Sequence, residues 1–193
     1  LSQTNLIISA SADMTIRLHD TKTMTTLNSF TGHIGVVYNA IWHPTMDGII
    51  ASCSSDNTLK LWDIKSNEII KSIKAHNGHV MFCDFNKYEN TIVTAGSDGS
   101  IATWDLKSTS KVPLACIQGH TLSVKRILYS PFSSKLMASV GYDMNCRVWD
   151  AQTCLPLNVF KHHKEFVQGI DFSLHTENVI STCGWDRTLS IFS

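Results

Sequence analysis

Short apolar runs alternate with polar turn residues along the whole chain, and no stretch of about ten residues keeps a helical period. The runs predict strands at Asn5–Ala10, Thr15–His19 and Thr25–Phe30, then at Val36–Trp42, Gly48–Cys53, Thr58–Trp62 and Glu68–Ile73. A third group falls at His79–Phe85, Thr91–Ala95, Ser100–Trp104 and Val112–Ile117, and a fourth at Leu122–Tyr129, Lys135–Val140, Asn145–Trp149 and Leu155–Phe160. Phe166–Phe172, Asn178–Cys183 and Thr188–Phe192 complete the series. His43-Pro44 and Pro131 end inner strands, because proline has no N–H to donate to a ladder. Asp98-Gly99 is a hairpin-turn pair.

The strand groups repeat. An Asp six residues before a Trp-like position recurs at Asp13, Asp56, Asp98, Asp143 and Asp186, with separations of 43, 42, 45 and 43. A marker His precedes all but the first, at His33, His76, His120 and His163, always 22 or 23 residues upstream. Four before each Asp stands a hydroxyl residue: Ser9, Ser52, Thr94, Ser139 and Thr182. One such Ser/Thr–His–Asp set resembles a hydrolase triad. Several equal copies, with no GxSxG elbow, speak for a structural role instead.

The inner strands carry a finer pattern. Four after each marker His is a Val (Val37, Val80, Val124, Val167), and seven and nine after it are mostly apolar residues. Strict alternation does not put positions four and seven on one side, whereas a β-bulge between them does. Positions three and five, Val36/Tyr38, His79/Met81, Ser123/Lys125 and Phe166/Gln168, are then expected to face a common rim. The residue before each turn Asp shares it: Ala12, Ser55, Ser97, Tyr142 and Trp185. Aromatic residues on a rim mark a binding surface more often than idle packing. Asp84 and Asp171, eight after a marker His, either face a central channel or bridge neighbouring repeats.

Composition narrows the function classes. Sixteen basic and sixteen acidic residues cancel, and no basic tract supports nucleic-acid binding. No apolar run approaches the roughly 18–20 residues of a membrane span, so no direct membrane insertion is expected. The six Cys are dispersed without a CxxC pair, most at apolar strand positions, so they are expected as buried reduced thiols and no metal or cofactor is implied. Leu1 opens the chain, the first repeat lacks its marker His and the last stops after its third strand, so a fragment is the expectation.

A period of 42–45 with GH and WD markers resembles the WD40-repeat family. The resemblance implies an all-β propeller with one four-stranded blade per repeat, over about 1–30, 31–73, 74–117, 118–160 and 161–193. That is three complete and two partial blades of an expected seven-blade ring, for which this period needs about 300 residues. It also implies a buried network in each blade: Trp62–Ser52–His33–Asp56, Trp104–Thr94–His76–Asp98 and Trp149–Ser139–His120–Asp143. Phe192 and His19 replace the Trp in the last and first repeats, which are expected to rely more on packing.

Further motifs, Cys83–Tyr88, Gly119–Trp149, His162–Leu174 (HHKEFVQGIDFSL) and Cys183–Asp186 (CGWD), resemble the receptors for the type 2 peroxisomal targeting signal, the seventh-peroxin family. This implies a non-enzymatic receptor moving between cytosol and peroxisome matrix. Its partners are cargo bearing the signal [RK]-[LVI]-x5-[HQ]-[LA], a co-receptor peroxin and the peroxisomal docking machinery. The candidate contacts are Tyr38, Met81, Lys125, Tyr142, Phe166, Gln168 and Trp185, with Glu165 as a candidate partner for the leading basic residue. Another WD40 scaffold, such as a histone-binding chaperone or a ubiquitin-ligase substrate adaptor, is the alternative.

Overall fold

The computed structural model describes residues 5–193. They form five antiparallel sheets in chain order, and no helix occurs among the described residues. The first sheet has β1 (Leu6–Ala10), β2 (Ile16–Asp20) and β3 (Thr25–Phe30). The second has β4 (Val37–Trp42), β5 (Ile49–Ser54), β6 (Thr58–Asp63) and β7 (Glu68–Lys74). The third has β8 (Val80–Phe85), β9 (Thr91–Gly96), β10 (Ser100–Asp105) and β11 (Ala115–Gln118). The fourth has β12 (Val124–Tyr129), β13 (Leu136–Gly141), β14 (Cys146–Asp150) and β15 (Pro156–Phe160), and the fifth has β16 (Val167–Phe172), β17 (Ile180–Gly184) and β18 (Leu189–Phe192). Within each sheet the strands pair in sequence order, as successive hairpins of a propeller blade do.

The core lies between sheets. Ile16 and Phe30 of the first sheet pack with Ile50 and Trp62 of the second. Leu59 and Ile73 meet Val80 and Trp104, Ile101 meets Met137 and Trp149, and Val148 meets Ile170 and Ile180. The second strands of the middle sheets, β5, β9 and β13, are therefore buried on both faces, while the outer strands β7 and β15 keep exposed positions. Sheet-on-sheet packing explains why these strands read as continuous small-apolar runs rather than as alternation.

Each inner strand from β4 onward carries the bulge. The pairing register slips between Val37 and Asn39, Val80 and Phe82, Val124 and Arg126, and Val167 and Gly169. The bulged residue is in turn Tyr38, Met81, Lys125 and Gln168. The turn after each Asp uses a left-handed residue: Met14, Asn57, Gly99, Met144 and Arg187, with φ of 63° to 81°. Only Gly99 takes that conformation without a Cβ penalty.

Two expectations are corrected. Val112–Leu114 is not strand: β11 begins at Ala115, since Pro113 interrupts the ladder and the preceding loop lies outside the sheet. The cysteines are not uniformly buried: Cys53, Cys83 and Cys146 are, but Cys116 and Cys183 are exposed and Cys154 sits half-buried at a left-handed turn residue.

Candidate functional site

The repeated polar residues meet inside the blades. In the second sheet the Trp62 indole N–H donates to Ser52 Oγ at 2.8 Å, and Ser52 Oγ lies 2.7 Å from His33 Nε2. His33 Nδ1 lies 2.7 Å from Asp56 Oδ2. Burial lowers the pKa of His33, against the pull of Asp56, so the ring is neutral. Every atom is then satisfied: Nδ1–H donates to Asp56, and Nε2 accepts the Ser52 hydroxyl. Burial alone would raise the pKa of Asp56, but bonds from Thr58, His33 and the Ile34 N–H outweigh it and hold the carboxyl below the ordinary range. The fourth sheet repeats the chain with Trp149, Ser139, His120 and Asp143, at 2.8, 2.7 and 2.9 Å.

The third sheet varies it. Trp104 and His76 both reach Thr94 Oγ1, at 3.0 and 2.8 Å. His76 Nδ1, however, is nearer Ser100 Oγ (2.8 Å) than Asp98 Oδ1 (3.3 Å), and Ser100 donates to that carboxylate at 2.6 Å. In the fifth sheet His163 holds Thr182 and Asp186, at 2.9 and 3.0 Å. Phe192, in the Trp position, instead stacks on Phe160 at 4.3 Å. In the first sheet His19 keeps one link of the chain at the Trp position: its Nε2 lies 2.9 Å from Ser9 Oγ, at an exposed site. Ser52, Thr94 and Ser139 are wholly buried, so no hydroxyl of the three full sets is open to a substrate.

A different set of residues faces outward. From the second sheet on, each residue before a turn Asp donates its N–H to the carbonyl three after the marker His: Ser55 to Val36, Ser97 to His79, Tyr142 to Ser123 and Trp185 to Phe166, all at 2.9 Å. The bulged strands and the turns thus meet at one end of the blades. There the side chains link neighbouring sheets. Tyr38 stacks on His79 with centroids 6.1 Å apart, and its hydroxyl lies 3.3 Å from Nδ1. Ser123 donates to the Ser97 carbonyl at 3.0 Å. Tyr142 stacks on Phe166 at 4.6 Å, and Phe166 meets Trp185 at 5.3 Å and 56°. Two aromatic bosses therefore flank a serine saddle.

The second boss carries a ring more exposed than Tyr38 of the first. Trp185 is 58% exposed, and with Phe166, Glu165 and Met144 it lines a depression of about 260 Å³. Glu165 is exposed, while Met81, Lys125 and Gln168 are half-buried at their bulges. Met144 was not singled out by sequence; its place, directly after a turn Asp in a left-handed conformation, is the signal that points to it.

Asp84 bridges sheets. Its Oδ2 accepts the Tyr129 N–H of the next inner strand at 2.8 Å. Burial pushes its pKa up to about 7, against the Tyr129 and Phe85 N–H groups and the Arg126 charge. Arg126 itself stacks over Phe82 at 4.7 Å. Asn39 acts similarly one sheet earlier, donating to the Cys83 carbonyl at 3.0 Å. Asp171, by contrast, is exposed, and among the described residues its carboxylate accepts the adjacent Phe172 N–H rather than a group of the next sheet.

Comparison with known proteins agrees with this architecture. The model of the family "WD domain, G-beta repeat" matches residues 24–63, 67–105, 111–150 and 154–193. The chain is 37% identical over 188 residues to the peroxisomal targeting signal 2 receptor of Mus musculus, covering 97% of this chain and 59% of that protein. It is 37% identical over 166 residues to the receptor of the same name from Homo sapiens (86% of this chain, 51% of that one). It is 42% identical over 64 residues to the one from Dictyostelium discoideum (32% and 20%). The chain thus spans between half and six-tenths of the length of the mouse and human relatives. With four matched repeats and five hairpin-built sheets, two of them braced by the same full Trp–Ser–His–Asp chain, this chain belongs to the WD40 repeat family.

Proposed function

We propose that this chain is part of an import receptor that recognises the N-terminal type 2 peroxisomal targeting signal of matrix proteins. The aromatic rim is its docking surface for that signal. The observation that carries this reading is the aromatic stack in which exposed Trp185 caps half-buried Phe166 and Tyr142 beside exposed Glu165, in a chain similar to receptors named for that signal. The signal places a basic and an apolar residue seven positions before its late His or Gln and the apolar residue after it. On a helix of 3.6 residues per turn, about two turns bring these onto one face. Such a face suits an apolar shelf with a carboxylate at its edge.

Tyr38, Phe166 and Trp185 supply apolar area, Glu165 meets the leading basic residue, and Met81, Lys125 and Gln168 line the inner rim. A co-receptor peroxin covers the bound helix, and the loaded receptor passes from cytosol to matrix through the docking machinery. The test is binding of a labelled signal peptide to the full-length protein with a co-receptor present. Replacing the leading Arg/Lys or the late His of the peptide abolishes binding. Trp185→Ala weakens it by about tenfold or more, the cost of losing an exposed aromatic anchor. Binding indifferent to both signal changes sinks the reading.

A further inference from the structure

The second and third sheets also form a cleft at their outer edge, away from the aromatic rim. It has a volume of about 530 Å³, and its walls include Leu61, Ile69, Ile70, Lys71, Lys107 and Lys111. β7 is the last strand of its sheet, so its outer edge presents unpaired backbone groups. Ile70 is 55% exposed there. The loop after β10 is tied to this edge by Lys71, whose ammonium donates to the carbonyls of Asp105 (3.0 Å) and Ser108 (2.7 Å).

The charge of the cleft is one-sided. Three lysines line it and no carboxylate does, in a chain whose formal net charge is zero. Among the described residues none of the three lysines forms an ion pair. Lys71 is held only by neutral carbonyls, so its position is set while its charge is uncompensated. Of the nearby carboxylates, Asp63 accepts the Lys65 N–H and Asp105 the Lys107 N–H, both at 2.8 Å, and Glu68 stands exposed at the start of β7, outside the lining of the cleft.

We infer that this cleft docks an extended partner segment in which acidic and apolar residues alternate. Backbone pairing along β7 supplies attachment, the isoleucines receive apolar side chains, and the lysines receive carboxylates. A basic segment is repelled by the same three charges.

The probe is a fluorescein-labelled octapeptide of alternating Asp and Leu, titrated by polarisation against the full-length protein, with an alternating Lys–Leu octapeptide as the counter-probe. The acidic peptide binds and the basic one does not. Raising the salt from low to high weakens binding by about tenfold, as for exposed charges. The double change Lys107→Glu and Lys111→Glu, at exposed loop positions, abolishes binding while the circular dichroism melt stays put. Trp185→Ala leaves binding of this probe unaltered, which separates the cleft from the signal site. Equal binding of both peptides, no binding of the acidic one, or a full-affinity charge-reversed double variant overturns the inference.

Discussion

At the scale of the residue, Asp84 is a carboxyl whose buried environment works against its charge. Its folded pKa of about 7 lies above the unfolded value, so the folded state holds a proton that the unfolded state has released. The stabilisation tied to that proton is complete below the unfolded pKa and is lost as pH rises through about 7. Asp84→Asn keeps an acceptor for the Tyr129 N–H and removes the buried charge. The variant is therefore more stable than the parent at pH 8, and the gap closes as pH falls towards the unfolded carboxylate range. Urea midpoints at several pH values check this, and a gap that widens on acidification contradicts it. His33 and His76, with pKa values lowered chiefly by burial, act in the opposite sense. They stay neutral when folded, so acid favours the unfolded chain below the ordinary histidine pKa. The sequence left the role of Asp84 open between channel and bridge: its offset from the marker His is visible, but the donor it accepts from, the Tyr129 N–H, belongs to the next sheet, 45 residues on.

At the scale of the element, each blade is a set of hairpins closed by a polar chain. The chain was readable because its members keep fixed spacing, and so was the bulge, because Val at one offset and apolar residues at the next cannot share a face without it. The contacts within each boss were not readable, since Tyr38–His79 and Tyr142–Phe166 pair residues on different sheets. Val112–Leu114 misled because an apolar run flanking Pro113 looks like strand until the missing donor is counted. The buried braces differ in strength. Ser52→Ala orphans both the Trp62 indole and His33 Nε2 and costs about 1–3 kcal/mol. Ser9→Ala removes a single partner, His19, at an exposed site, and costs about 0.5 kcal/mol or less. Denaturant midpoints of the two variants, measured side by side, test that order.

At the scale of the whole molecule, sheets stabilise one another only through their faces, so the outermost faces of the row matter. Ile7 of the first sheet is 52% exposed, and Leu189 and Ile191 of the fifth are each 67% exposed. Faces of this kind promote association. The 193-residue chain expressed alone is therefore expected to self-associate in light scattering, and a monodisperse, cooperatively unfolding monomer contradicts that. The same row has a consequence for exchanging parts between related chains. A matched repeat such as 67–105 takes the outer strand of one sheet and three strands of the next, whereas His33, Ser52, Asp56 and Trp62 all lie within one sheet and the loop before it. A crossover placed in the loops near Thr31, Ala75, Gly119 or Lys161 transplants a sheet together with its own brace. One placed just after Asp63 or Asp105 grafts a foreign outer strand onto a resident blade, and the bulged pairing of β6 with β7 would have to be rebuilt from two parents.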